Sequence, residues 1–186
     1  PVGRKDVKTI LKNNNEIKDV LELMYHELKN NHQIYVIAPM IEEDDNLESV
    51  EKLEENMNKA FGKLYKIGIL HGKMSPQEKE SMMNDFTNNK IQILISTTVI
   101  EVGVDVANAT MIVIFESYRF GLSTLHQLRG RVGRSSLDSY CVLISPKETE
   151  RLNILTKTND GFIISEEDFK LRGSGDLFGY KQSGEV

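Results

Sequence analysis

Ile91-Gln-Ile-Leu-Ile-Ser-Thr-Thr98 holds four apolar residues in its first five positions and three hydroxyl residues in its last three. An apolar run without strict alternation is the pattern of a strand buried on both faces, and the hydroxyl residues mark its end. Comparable runs lie at Ile34 to Ala38, Ile67 to Leu70, Met111 to Phe115 and Tyr140 to Ile144. Helical spacing separates them: Ile17, Val20, Leu21, Met24 and Leu28, then Val50, Leu53, Met57 and Phe61, then Met82, Met83 and Phe86. Before the third set, Ser75 suits an N-cap, Pro76 the first helical position and Glu78 the capping-box partner. Buried strands alternating with helices predict one doubly wound α/β domain, with a mostly parallel sheet and helices on both faces. Lys8 to Leu11 is expected to add an edge strand.

The pattern changes after Ile144. Glu148 to Thr158 reads as a helix, Asn159-Asp-Gly161 as a turn, Ser165 to Arg172 as a second helix and Gly173 to Gly184 as a glycine-rich tail. The expected division is therefore a doubly wound domain over 1–146 and a helical hairpin with a loop over 147–186.

Composition bounds the function. The chain has 186 residues, 39% hydrophobic and 27% charged, with a formal net charge of -5, which is ordinary for a globular domain and unlike a wholly basic nucleic-acid-binding one. Any grip on nucleic acid must be local. The single cysteine, Cys141, sits in an apolar run, which excludes an internal disulfide and a cysteine zinc cluster and reads as a buried thiol. No apolar stretch approaches the roughly 20 residues of a membrane span, so no membrane partner and a cytoplasmic location are expected. The acidic run Glu42 to Asp45 reads as solvated surface.

Four of the seven arginines lie between Arg119 and Arg134, three of them in Gln127-Leu-Arg-Gly-Arg-Val-Gly-Arg134. Read as a helix, this segment puts Gln127, Arg131 and Arg134 on one face and Leu122, Leu125, Leu128 and Val132 in an apolar stripe. Guanidinium groups held beside glycines suit the oxygens of a transferring phosphoryl group. In an open parallel sheet, ligands collect beyond the carboxyl ends of the strands. Ser96-Thr97-Thr98 stands at such an end, followed by Gly103, which allows a tight turn, and Asp105, which can accept from ribose hydroxyls. Threonines there serve equally well as helix caps. Leu70-His71-Gly72 closes another strand, where a lone histidine is equally compatible with a structural role.

Four of these segments resemble, in order and spacing, the motifs of superfamily 2 helicases. Tyr35-Val-Ile-Ala-Pro39 is similar to motif IV, Leu70 to Gly72 to motif IVa, Ser96 to Ala109 to motif V and Gln127 to Arg134 to motif VI. Asn159-Asp-Gly-Phe162, Asp168 to Gly179 and Gln182-Ser-Gly184 resemble the translocation motif shared by RecG branch-migration helicases and the transcription-repair coupling factor. Ala38 to Glu43, His71 to Pro76, Val99 to Asp105 and Leu125 to Leu128 favour the RecG type. Ala107 and Ser174 depart from it, standing where proline is common and loosening the backbone there.

The resemblance implies a second RecA-like motor domain. Neither the phosphate loop Gly-x4-Gly-Lys-Ser/Thr nor the acidic box of such motors is present: Gly62-Lys63 and Gly72-Lys73 run into Leu64 and Met74, and no Asp-Glu dipeptide occurs. This implies a fragment, nearly inactive alone, whose ATP and Mg2+ are bound mainly by a first RecA-like domain of the same polypeptide. Arg131 and Arg134 would contact the γ-phosphate, Gln127 would couple nucleotide state to DNA, and Gly103, Asp105 and Gly130 would line the nucleotide side. His71, Gly72, Thr97, Thr98, Arg172 and Gln182 would face DNA. The implied partners are branched or duplex DNA and an N-terminal wedge domain, the implied form a monomer at the nucleoid. A coupling-factor translocase and a non-catalytic phosphate-binding module are the alternatives.

Overall fold

Strand β2 (Gln33–Ile37) is buried at all five positions, because it lies inside the sheet and is covered on both faces. The computed structural model describes residues 6–38, 45–97 and 105–179. Its other strands are β1 (Lys8–Lys12), β3 (Ile67–Leu70), β4 (Ile93–Ser96), β5 (Ala109–Ile114) and β6 (Tyr140–Ile144), in the spatial order β1-β6-β5-β2-β4-β3. All neighbouring strands among the described residues pair in parallel. The expected doubly wound α/β fold is the observed one, and Lys8 to Leu11 does form an edge strand, paired to β6.

Side chains alternate between two cores, as the two-residue strand period requires. On one face Ile34, Val36, Ile93, Ile95, Met111 and Val113 pack against α1 (Ile17–Lys29) and α2 (Asp45–Phe61). On the other, Tyr35, Ile37, Leu94, Ile112 and Ile114 meet α3 (Pro76–Thr87), α4 (Leu122–Arg129), α5 (Glu150–Lys157) and α6 (Gly161–Gly179). Each large apolar side chain so buried contributes about 1.5–3 kcal/mol. Helix α3 starts as its sequence dictates: the Ser75 hydroxyl accepts from the Glu78 amide, the Glu78 carboxylate from the Ser75 amide, and Pro76 follows the cap. Cys141 is buried in the second core, and burial pushes its thiol up to about 12, outweighing the nearby Arg129.

The hairpin differs from expectation. Helix α6 begins at Gly161, four residues before Ser165, because Asp160 accepts from the Phe162 amide and takes up a donor of the first turn. It then runs through Gly173 to Gly179, where a glycine-rich tail is expected. An interior glycine costs a helix only about 1 kcal/mol. Helix α6 buries Ile164 and leaves Phe162 and Phe169 exposed.

The amino end of the sheet carries a buried polar anchor. Glu27 of α1 is 4% exposed. It accepts from the Thr110 hydroxyl at 2.5 Å, and the Nδ1 atoms of His26 and His32 lie 3.1 Å from its two oxygens. Beside it, Gln33 donates from one nitrogen to the carbonyls of Phe86 and Ile91. Hydrogen bonds to a charged group are worth about 1.5–3 kcal/mol when the partner is left buried and unpaired. Glu27→Ala is therefore expected to lower unfolding free energy by about 2 kcal/mol in urea titrations, and a loss under about 0.5 kcal/mol would contradict this account of the anchor.

Candidate functional site

The helical reading of Gln127 to Arg134 holds only as far as Arg129. Leu122, Leu125 and Leu128 are fully buried and fix α4 against the sheet, and Val132 is buried beyond its end. The Gly130 amide donates to the His126 carbonyl at 3.0 Å. Tighter three-residue bonds follow, from Arg131 to Leu128 and from Val132 to Arg129. Gly133 then takes φ 79°, a conformation that glycine adopts without penalty. A side chain at Gly130 would approach the Gln127 carbonyl to 3.3 Å. Arg131 and Arg134 thus stand on a turn, not on the helix face shared with Gln127, which is exposed on α4.

This turn lies beside the segment that leads into β5. Val106 and Val132 enter the same core, the Ser135 hydroxyl donates to the Ala107 carbonyl at 3.4 Å, and Arg134 Nη1 stands 3.6 Å from Asp105 Oδ1. The phenol of Tyr35, on β2, registers the convergence. Burial pushes it up to about 12, with Arg131 and Arg134 acting against that shift and Asp105 adding to it. Arg131, Arg134 and Asp105, from two loops, thus lie near enough to the Tyr35 phenol to act on its charge. Arg134 is partly exposed and Asp105 more so, so both can exchange their mutual contact for a ligand.

A second group forms at the carboxyl ends of β3 and β4. The Thr97 amide donates to the Leu70 carbonyl at 3.2 Å, which seats Thr97 next to His71 and Gly72. His71 Nδ1 accepts from the Lys73 amide at 3.2 Å, so the neutral ring carries its proton on Nε2. Thr97 is buried, His71 half-buried and Gly72 exposed. Of these three, His71 and Gly72 are open to a ligand.

Arg129 is the residue that sequence reasoning missed. It is 2% exposed and, among the described residues, the largest fully buried side chain. Its Nη1 donates to Thr9 Oγ1 at 3.0 Å and to the Leu155 carbonyl at 2.7 Å, and its Nη2 lies 3.0 Å from His126 Nδ1. A guanidinium can only donate, so His126 accepts at Nδ1 and holds its proton on Nε2. That Nε2 lies against Gly161, where an added Cβ would come within 3.3 Å. Burial lowers the pKa of His126 below its ordinary value, and Arg129 lowers it further. Burial lowers that of Arg129 also, though a guanidinium remains charged throughout the accessible pH range.

A family model for the helicase conserved C-terminal domain matches residues 15–136, nearly two thirds of the chain. The chain belongs to the helicase C-terminal domain family. A second model, for domain 3, C-terminal, of the ATP-dependent DNA helicase RecG, matches residues 158–186 of this helicase domain. Its sequence is 51% identical to the ATP-dependent DNA helicase RecG of Staphylococcus epidermidis, over 99% of this chain and 28% of that one. The chain thus spans little more than a quarter of the relative's length. A structure of RecG bound to a three-way DNA junction superposes with a TM-score of 0.81 at 39% identity, covering 95% of this chain and 24% of that one. The helicase Lhr of Mycobacterium smegmatis, bound to ssDNA and AMP-PNP, has a TM-score of 0.58 at 17% identity over 83% of this chain and 22% of that one, a likeness of fold alone.

In this helicase domain the hairpin is tied back onto α4. Ser123 donates to Asp168 Oδ2 at 2.9 Å, and Arg172 Nε pairs with the same oxygen at 3.2 Å. Arg172 otherwise stands exposed. Gly103, Thr98 and Gln182 lie outside the described residues.

The depressed pKa of His126 has a stability consequence of definite sign. The folded state disfavours its protonation, so its contribution is present above the ordinary pKa of 6.5 and is lost as pH falls through the lower folded value. His126→Gln, which keeps an acceptor without a titrating ring, is expected to flatten part of the fall in thermal stability on acidification below about pH 6.5. An unaltered pH profile would contradict it.

Proposed function

We propose that this chain is the second motor domain of an ATP-dependent DNA helicase that remodels branched DNA, with Arg131 and Arg134 completing an ATP site whose other half lies on a first RecA-like domain. The turn from Gly130 to Arg134 carries this reading. It sets Arg134 beside Asp105, with Arg131 on the same turn, in a chain half identical to RecG along nearly its whole length. We assign residues 1–146 to the RecA-like module and 147–186 to the hairpin and translocation motif.

When water attacks the γ-phosphorus of ATP and ADP leaves, negative charge spreads over the oxygens of the transferring phosphoryl group, and a fixed guanidinium stabilises that charge. Arg134 is the principal finger in this reading and Arg131 its partner. Asp105 braces Arg134 until a nucleotide replaces it, and Gly130 permits close approach, with Gly103 on the same side. Gln127 links nucleotide state to DNA. Among the described residues no group of three or more His, Cys, Asp or Glu side chains could hold a metal. In this reading Mg2+ belongs to the first domain, with the acidic box of such motors, where it would neutralise phosphate charge.

His71, Gly72 and Thr98 would face the DNA backbone, together with Arg172 and Gln182 from the hairpin and tail, and the buried Thr97 would brace them from beneath through its amide bond to Leu70. Contacts of this kind read phosphate and sugar, so the domain is indifferent to sequence. Preference for branched DNA then comes from a wedge domain elsewhere in the polypeptide. None of the described helices is long and apolar enough to cross a membrane, and the proposed setting is the nucleoid, with the protein acting as a monomer. A coupling-factor translocase is the second reading, and the RecG-type match to the hairpin segment weighs against it.

The test is DNA-dependent ATPase activity of this chain alone, of the full polypeptide, and of the full polypeptide with Arg134→Ala. Activity is expected only in the full polypeptide, and the substitution is expected to lower it by about 10³ to 10⁵. A folded, DNA-binding polypeptide whose ATPase is indifferent to Arg134 would overturn the reading and favour a non-catalytic phosphate-binding module.

A further inference from the structure

The short connection between β5 and α4 is held at several points. Its Glu116 takes φ 47°, a left-handed conformation uncommon for a residue with a side chain, and such a conformation persists only where its surroundings fix it. The Ser117 hydroxyl donates to the Ile144 carbonyl at 3.0 Å, and the Phe115 amide to the Ile37 carbonyl at 3.0 Å, so the connection is pinned to the carboxyl ends of β6 and β2. Arg119 Nε and the Tyr118 hydroxyl both donate to Glu116 Oε1, at 2.9 and 3.2 Å. The Arg119 guanidinium also lies over the Tyr118 ring, 5.4 Å from its centroid. Arg119 is exposed, and it is one of the clustered arginines to which the ATP site gives no task.

This connection walls a cavity of about 640 Å³ that is closed by α1, α2 and the end of β6. Phe115 and Tyr118 give the cavity aromatic walls, Leu53 and Ile144 add apolar surface, and Ser49 and Asn56 of α2 offer a hydroxyl and an amide. Flat apolar walls with a few hydrogen-bonding groups suit a nucleobase, which has two apolar faces and a polar edge. The Glu116 carboxylate also lines the cavity, and its negative charge disfavours a phosphate inside. Lys52, exposed on α2 and part of the same lining, and Arg119 supply cations for phosphates outside. Because the strands are parallel, the cavity lies on the same edge of the sheet as His71 and Thr97. From β4 to β5 is two strand spacings, about 10 Å, or about three nucleotides of a strand at duplex spacing.

Resting on the proposed reading of the domain as part of a DNA motor, we propose that this cavity takes an unpaired nucleobase from an arm of forked DNA, stacked against Tyr118 and Phe115, with the flanking phosphates on Lys52 and Arg119. A base inside a duplex is held in its stack and cannot enter. Every base has an aromatic face, so capture by stacking selects unpaired bases over paired ones and not one base over another. The domain then senses the single-stranded arm itself, in addition to any preference supplied by a wedge domain.

The experiment uses the full-length polypeptide and forked DNA carrying 5-iododeoxyuridine at successive positions of each unpaired arm in turn, irradiated and digested so that mass spectrometry reads the crosslinked residue. A crosslink to Tyr118 or Phe115 is expected from neighbouring positions of one arm, and its loss when a complementary strand pairs that arm. Tyr118→Leu is expected to lower the ratio of fork to duplex affinity about tenfold, the worth of one base stacked on an aromatic ring. Lys52→Glu, at an exposed position, is expected to lower it about threefold at about 0.1 M salt and less at higher salt. If Tyr118→Leu fails to fold, Lys52→Glu decides. Crosslinks that map only outside the cavity, or a ratio unchanged in the folded variants, overturn the inference. With an ATPase that depends on Arg134, either result sinks this inference and leaves the motor reading standing. ATPase that survives Arg134→Ala sinks that reading, whatever the crosslinks show.

Discussion

A parallel sheet covered on both faces leaves no room for chemistry inside it. The backbone polar groups of its strands are consumed by neighbouring strands, and the side chains of β2, β4 and β5 are buried to either side. Polar and charged function is driven to strand ends and to the connections that follow helices. His71 and Thr97 meet at the ends of adjacent strands because β3 and β4 are in register, Leu70 against Ser96. The arginine turn reaches Asp105 because α4 is locked to the sheet by leucines on its inner face.

Much of this is legible in the residues. Two-sided burial betrays itself as unbroken apolar runs, so strand positions could be read closely, and the Ser75-Pro76-Gln-Glu78 helix start is a local event that needs no tertiary context. The arginine turn was harder to read. Helical spacing continues past Arg129 in the residue pattern, and only the two glycines, one of them at positive φ, end it. Helix α6 shows the opposite difficulty: glycine makes a helix weaker without forbidding it, so Gly173 is a poor stop signal. Arg129 was hidden by its own residue type, being grouped with its charged neighbours. Its position gives it away, since Leu122, Leu125, Leu128 and Arg129 share one helical stripe, and an arginine in such a stripe must have buried partners. Those partners, Thr9 and Leu155, are remote in the chain, and only the fold brings them together.

The structure therefore separates two tasks within a single short segment. Arg131 and Arg134 stand outward on a turn with fixed anchors, where the proposed phosphate contacts need them. Arg129 points inward and holds the hairpin. Arg129 and Arg131, separated by one glycine, thus differ in burial, the first fully buried and the second half-buried on the turn. The hairpin is held on α4 through the Leu155 carbonyl and Asp168.

The most direct test of the central claim is a structure of the full-length polypeptide on forked DNA with ADP and a metal fluoride in place of the transferring phosphoryl group. The account predicts guanidinium nitrogens of Arg134, with Arg131 beside it, within about 3 Å of the fluoride ligands, and Arg134 released from Asp105. Both arginines turned away from the nucleotide in a closed, DNA-bound state would contradict it.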